Sequence, residues 1–249
     1  MQSLVLKGMP VLPYAMEEAI NRLRVNISFQ GKDIKKIMVI SAMSNEGKSL
    51  VSMHLWRQMA ESGTKSILVD ADMRNSVIAE AYDIQFPGKK KVKRENQFGT
   101  TNYLSGDGPL EEAIYTTQYP SGDMIPNFDN VVNPSLLLES KRFKNMLTDL
   151  AEQYRYVFID APPLNLVSDG ERMGHLCDGA ILVVRAGVTP KKLVTNCVGQ
   201  LERAGCPLLG IVLNRVEGSK GGYYTKKYGS YYYGNYGYGK KNRYYGDKK

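Results

Sequence analysis

Apolar residues recur along this chain with two periods, and the period changes from one segment to the next. Between residues 14 and 29, Met16, Ile20, Leu23 and Ile27 stand three and four apart, while Glu17, Glu18, Arg22 and Arg24 fall on the opposite side. That spacing predicts an amphipathic helix. Short continuous apolar runs occur at 37–41, 66–69, 156–159, 180–184 and 208–213. Separated by helical patterns, they predict a parallel β-sheet covered by helices on both faces, an α/β fold. Helices are expected at 48–61, at 135–153 with Leu136, Phe143, Met146, Leu147 and Leu150 on its apolar side, and at 190–203, where Pro190 suits a first helical turn. The helix at 14–29 precedes the first core strand, so it must dock on its own sheet or on a neighbouring subunit.

Two stretches carry little periodicity. Residues 1–13 read as extended or irregular, with Pro10 and Pro13 as breakers, and 75–133 offers only one or two helical turns near 110–115. Within the latter, Lys89, Lys90, Lys91, Lys93 and Arg94 form a basic segment that must be solvated or bound to an anion. Beyond Val216 the apolar pattern stops. Glycines crowd the remainder, aliphatic residues are absent, and the expected organisation is a domain over 1–216 with a flexible tail over 217–249.

Charge sharpens that division. The chain carries +8, of which +6 belongs to 217–249 and +2 to everything before it. The same tail holds ten tyrosines: Tyr223, Tyr224, Tyr228, Tyr231, Tyr232, Tyr233, Tyr236, Tyr238, Tyr244 and Tyr245. A basic, aromatic tail is suited to a polyanion, whether nucleic acid, anionic lipid or an acidic protein surface. Cys177, Cys197 and Cys206 occur singly and read as buried free thiols, and His54 and His175 are too isolated for a zinc centre. With no long apolar run and no signal-peptide pattern, a cytosolic chain is expected, peripheral membrane attachment remaining open.

The chemistry begins at the turn between the first core strand and the helix at 48–61. Ala42-Met43-Ser44-Asn45-Glu46-Gly47-Lys48-Ser49 ends in the Gly-Lys-Ser of a phosphate loop, with Ala42 where the simple motif has its first glycine. Backbone N–H groups from Ser44 through Leu50 can surround phosphate oxygens, Lys48 supplies a point charge, and the Ser49 hydroxyl can ligate Mg²⁺. The strand at 156–159 ends in Asp160, and that at 66–69 ends in Asp70-Ala71-Asp72, so three carboxylates reach the carboxyl edge of the sheet. Two residues apart in a strand, Asp70 and Asp72 would share a face, one approaching a metal and the other an incoming hydroxyl. Either could instead cap the following segment or pair with Arg74. A tyrosine hydroxyl, with its pKa near 10, needs such a carboxylate to take its proton during phosphoryl transfer.

These motifs together, Ser41 to Ser49, Ile67-Leu68-Val69-Asp70-Ala71-Asp72-Met73-Arg74, Tyr156-Val157-Phe158-Ile159-Asp160-Ala161-Pro162-Pro163 and the tyrosine tail, resemble the bacterial tyrosine kinases of capsule and exopolysaccharide synthesis. The form resembled is the separate cytoplasmic kinase of Gram-positive bacteria, whose transmembrane activator, of the polysaccharide co-polymerase type, is another polypeptide. The resemblance implies ATP and Mg²⁺ as cofactors, Lys48 on the β and γ phosphates, Asp70 in catalysis, and Ser49, Asp72 and Asp160 around the metal. It implies autophosphorylation of the tail between subunits of a ring, commonly an octamer, with ring dissociation and control of polysaccharide polymerisation or export as the outcome. The segment from Glu18 to Ile27 resembles the family's ring-contact helix, which places Glu18, Arg22, Arg24 and Asn26 at a subunit interface. The family usually has Pro-Gly where this chain has Ser44-Asn45, and asparagine accepts positive φ less freely than glycine.

Two other readings use the same residues. Cytoskeletal-type ATPases of the ParA and MinD kind share the fold and switch state on membrane or DNA, where a basic tail would be a polyanion contact. A non-enzymatic scaffold would use the tail's tyrosines for stacking and its lysines for charge. Phosphate reaching the tail separates the kinase from both; with the kinase reading, nucleic acid is not the expected partner.

Overall fold

The computed structural model describes residues 2–87, 97–165 and 169–216. The tail tyrosines and the basic segment 89–94 lie outside the described residues. The chain divides into two units, Met1–Arg215 and Val216–Lys249, and the fold is that of the first.

Strands β1 (Gln2–Ser3) and β2 (Val5–Leu6) lead into helix α1 (Tyr14–Ser28), followed by β3 (Lys36–Ser41), α2 (Lys48–Glu61) and β4 (Ser66–Asp70). Then come α3 (Ile78–Ala81), β5 (Ile84–Gln85), α4 (Thr100–Ser105), α5 (Leu110–Ala113), β6 (Tyr115–Thr116) and β7 (Gly122–Ile125). The chain continues through α6 (Ser135–Leu138), α7 (Lys141–Gln153), β8 (Tyr156–Asp160), α8 (Asp169–Gly174), β9 (Gly179–Arg185), α9 (Lys191–Arg203) and β10 (Leu208–Asn214).

Among the described residues the main sheet runs β1-β6-β7-β4-β8-β3-β9-β10. From β7 to β10 every neighbouring pair is parallel, as the continuous apolar runs predict. The β6–β7 pair is antiparallel, so the sheet is mostly rather than wholly parallel. One face buries Met38, Ile40, Ile67, Val69, Val157, Ile159, Ala180 and Leu182 in a core shared with Phe143, Met146, Leu147 and Leu150 of α7 and Cys197 and Leu201 of α9. The alternate residues Ile37, Val39, Leu68, Phe158, Ile181 and Val183 are equally buried on the other face, the side of Trp56 and α2. At Gly122 the strand comes so close to α2 that an added Cβ would lie 2.7 Å from the Ala60 Cβ and 3.0 Å from the Trp56 ring.

Two sequence expectations need correction, and a third gains detail. The single helix expected over 135–153 is two, because Ser140 leaves the helical region (φ −68°, ψ 151°) and its hydroxyl accepts from the Phe143 N–H, capping α7 afresh. Leu138 and Phe143 both remain buried across the break, which is why the apolar pattern runs through it. Residues 1–13, expected to be extended or irregular, are extended in part: β1 joins the sheet edge beside β6, and β2 pairs with β5. Finally, the stretch 75–133 hides a core strand, β7, whose Asp123 breaks the apolar run and accepts from the Tyr154 hydroxyl at 2.7 Å.

Helix α1 docks on its own domain, against α2. Ile20 and Ile27 are buried there, and Glu17 accepts from Arg57 and, at 2.7 Å, from Gln58 Nε2. Arg22 and Asn26 stay exposed, Glu18 and Arg24 half-buried.

Candidate active site

Strand order and register assemble the site. Because β8 lies between β4 and β3, the carboxyl ends of all three strands meet, and Asp70 stands directly opposite Asp160 in the β4–β8 ladder. The loop after β3 turns sharply into α2. Asn45 (φ 63°) and Gly47 (φ 95°) both take left-handed backbone, so asparagine here does adopt the conformation for which glycine is the usual residue. At Gly47 an added Cβ would also come within 2.2 Å of the Asn214 side-chain nitrogen.

The first N–H groups of α2 have no carbonyl within the helix to donate to, and that of Val51 reaches back to Gly47 O at 3.0 Å. A helix start entered through a left-handed turn offers those groups to an anion. Ser44 and Asn45 are exposed on the loop's outer side, and Gly47, Lys48, Ser49 and Leu50 are partly covered. Glu46 points elsewhere. Its carboxylate is buried, accepting from Met43 N (2.8 Å), from Arg185 N (3.3 Å) and from the Thr189 hydroxyl, while Asn214 Nδ2 donates to its carbonyl at 2.8 Å. The Glu46 side chain thus ties the loop to the end of β9, and its backbone carbonyl ties it to Asn214 at the end of β10.

Lys48 joins the carboxylates. Its ammonium lies 2.9 Å from Asp72 Oδ2 and 3.1 Å from Asp160 Oδ2. Ser49 Oγ donates to the same Asp160 oxygen at 2.8 Å, and Ser52 Oγ donates to Asp160 Oδ1 at 3.0 Å. Burial disfavours the lysine's charge, but Asp160 and Asp72 outweigh it and hold the pKa above the usual lysine value. Asp70 is pushed up to about 8 by burial and the neighbouring Asp160 charge, against the hydrogen bond from Ser76 and the charge of Lys48.

The expectation that Asp70 and Asp72 share a strand face does not hold, since β4 ends at Asp70 and Asp72 sits in the following turn. The turn still returns Asp72 to Lys48, and its Oδ1 accepts from Asn75 N at 3.2 Å, so this residue both caps and faces the site. Arg74 reaches across to Asp169 of α8, at 2.5 Å, and donates to Val132 O at 2.8 Å. Ser135 Oγ also donates to the fully buried Asp169.

Sequence reasoning overlooked Ser52, Ser76 and Asp169. Ser52 had a signal, being three residues after Ser49 on one helix and therefore on the same face. Ser76 and Asp169 had none, because their partners depend on the path of loops.

The oxygens present suit a divalent cation. Asp70, Asp72 and Asp160 lie within electrostatic reach of one lysine, leaving an excess of negative charge, and Asp70 Oδ1 is buried without a hydrogen-bond partner among the described residues. Among the described residues no group of three or more His, Cys, Asp or Glu side chains is placed to hold a metal ion by itself. Magnesium needs none, since it binds through one or two carboxylates and keeps its remaining positions for water and phosphate oxygens.

A family model described as an AAA domain matches residues 34–172. The chain is 37% identical over 221 residues to a tyrosine-protein kinase CpsD of Streptococcus agalactiae, the match covering 89% of this chain and 90% of that one. The kinase domain of the Escherichia coli tyrosine kinase ETK superimposes with a TM-score of 0.70 at 27% identity, over 82% of this chain and 78% of that one. The septum site-determining protein MinD of Pyrococcus horikoshii, solved with Mg-ADP, gives a TM-score of 0.59 at 24% identity over 75% and 72% of the two chains, a likeness of fold alone.

Proposed function

Because this chain belongs to the bacterial tyrosine-protein kinase family, we propose that it transfers the γ-phosphoryl group of ATP to tyrosines of its own C-terminal segment and so controls capsule or exopolysaccharide synthesis or export. The supporting observation is the meeting of Lys48, Ser49, Asp70, Asp72 and Asp160 at one sheet edge in a chain whose residues 217–249 hold ten tyrosines.

In this reading the loop N–H groups from Ser44 to Leu50 and the Lys48 ammonium bind the nucleotide's phosphates. Ser49 Oγ, Asp72 and Asp160 are the oxygens that would hold magnesium, which supplies positive charge at the phosphate oxygens when bound. Ser52 and Ser49 keep Asp160 oriented from the helix side. Asp70 in its ionised form, which the positive charge of bound magnesium would favour over the protonated one, accepts the phenolic proton as the tyrosine oxygen bonds to the γ-phosphorus and the bond from that phosphorus to the β,γ-bridging oxygen breaks, with ADP leaving. Glu46 acts at one remove, by fixing the loop's shape.

The acceptor tyrosines, Tyr223 to Tyr245, belong to a neighbouring subunit of a homo-oligomeric ring, commonly an octamer in this family. The side of α1 that carries the exposed Arg22 and Asn26 and the half-buried Glu18 and Arg24 supplies the contact. Among the described residues no helix is long and apolar enough to cross a membrane. A separate transmembrane activator would hold the kinase at the inner face of the cell membrane. The regulatory-ATPase reading is supported by likeness of fold alone, and a member of a kinase family is not a bare scaffold.

Purified protein incubated with Mg²⁺ and γ-labelled ATP should label its tail, and both Lys48→Met and truncation after Val216 should abolish the label. Label appearing in full-length Lys48→Met chains supplied with active truncated protein would establish transfer between molecules. Hydrolysis of ATP with no labelled protein would overturn the kinase reading.

A further inference from the structure

Of the three carboxylates at the site, Asp70 alone is held by one oxygen. Asp160 is engaged through both, by Lys48 and Ser49 on Oδ2 and by Ser52 on Oδ1. Asp72 meets Lys48 through Oδ2 and Asn75 N through Oδ1. Asp70 accepts from Ser76 Oγ on Oδ2 at 2.5 Å, and its Oδ1 is buried with no partner among the described residues.

Ser76 is itself anchored from outside the phosphate site. Its N–H donates to Asn130 Oδ1 at 3.0 Å, and its hydroxyl lies 3.4 Å from Asn127 O. Asn127 is 1% exposed, its Oδ1 accepts from the Thr101 hydroxyl at 2.7 Å and from Thr101 N at 3.2 Å, and its Nδ2 donates to Asp129 O at 3.0 Å. The hydroxyl that meets Asp70 is therefore placed by the segment after β7 and the start of α4, which touch neither Lys48 nor the phosphate loop through any of these bonds. Without that hydrogen bond a terminal carboxylate is free to turn about its broad, two-fold χ2 well.

We propose that Ser76 is a positioning residue for phosphoryl transfer: its hydroxyl holds Asp70 Oδ2 so that Oδ1 is the oxygen presented to the acceptor tyrosine's O–H. The inference rests on the kinase reading, in which Asp70 takes the phenolic proton. A base must lie within hydrogen-bond reach of the proton it removes, so loss of orientation lowers turnover more than it lowers binding. The donor that matters is the hydroxyl, and a threonine at 76 keeps it.

The test measures initial rates of tail labelling by the full chain with Mg²⁺ and varied γ-labelled ATP, for the native protein, Ser76→Ala, Ser76→Thr and Asp70→Asn. Ser76→Ala is expected to lower kcat about tenfold or more while KM for ATP stays within about twofold and the thermal midpoint is unchanged. Ser76→Thr is expected to restore most of the rate. Labelling by Ser76→Ala at the native rate overturns the inference and leaves the kinase reading standing. So does a loss in which KM, thermal midpoint and kcat all worsen and threonine rescues nothing, since that is the mark of a structural role. No label even in the native protein overturns both, and native-rate labelling by Asp70→Asn removes the base whose orientation is at issue.

Discussion

At the scale of single residues, the cost of the site falls on Asp70. Its carboxyl ionises at about 8 in the folded chain against 3.8 for an ordinary aspartate, because burial and Asp160 disfavour its charge more than Ser76 and Lys48 favour it. Between about pH 4 and about pH 8 the folded chain therefore holds a proton that the unfolded chain has released, and stability declines as pH rises through that window. Above it both states are ionised and the decline stops. Asp70→Asn removes the titration while keeping an oxygen for the Ser76 hydroxyl. Thermal melts without nucleotide or Mg²⁺ should find this variant more stable than the native protein near pH 8, with the gap closing toward pH 4. A variant no more stable at the upper end would show that the carboxylate's own interactions outweigh its desolvation. The same substitution should abolish tail labelling, so stability and activity would move in opposite directions at one position.

Among the elements, the α1–α2 contact has a titrating group beneath it. His54 on α2 is fully buried, and neither ring nitrogen has a partner among the described residues. Burial and the nearby Arg57 charge lower its pKa to about 4, only partly offset by Glu17. The folded chain keeps His54 neutral where the unfolded chain, at 6.5, takes up a proton. Stability is thus greatest above about pH 6.5, falls as pH drops toward 4, and levels below that, with up to about 3 kcal/mol at stake. His54→Leu should flatten that arm of the melting profile; an unchanged pH dependence would place the acid sensitivity elsewhere. Element scale is also where the sequence was most and least legible. Apolar runs at β3, β4, β8 and β9 and the amphipathic spacing of α1 declare themselves, because each buries its apolar residues whatever the path of the neighbouring loops, whereas the run at β10 reads as a strand although Ile211 and Leu213 stay exposed. β7 does not, since Asp123 interrupts its run for the sake of the Tyr154 hydroxyl, and the α6–α7 break does not, since Ser140 caps without disturbing which residues face inward. In the site, the meeting of Lys48, Ser49, Asp70 and Asp160 was legible because strand ends and a helix start place them directly, whereas Asp72 reaches Lys48 from the turn after β4. Ser76 and Asp169 enter through loops, and only the folded path brings them to Asp70 and Arg74.

Across the whole molecule, charge is divided unequally, +6 on residues 217–249 against +2 on the rest. In the kinase reading an acceptor segment of that sign is drawn toward a site where Asp72 and Asp160 face one lysine, and the attraction weakens with salt. Each phosphotyrosine adds about −1.5 to −2 charges near pH 7, so three or four phosphates would cancel the segment's charge and further ones reverse it. The product then repels the carboxylates that attracted the substrate, and its preferred surface becomes a basic one. In the ring reading this makes dissociation a function of total phosphate rather than of one tyrosine. Variants retaining different subsets of the ten tyrosines, the others changed to phenylalanine, should dissociate at similar phosphate counts when subunit assembly is followed by light scattering and phosphates by intact mass. Dissociation set off by one particular tyrosine at any total charge would show instead a specific contact that its phosphate makes or breaks.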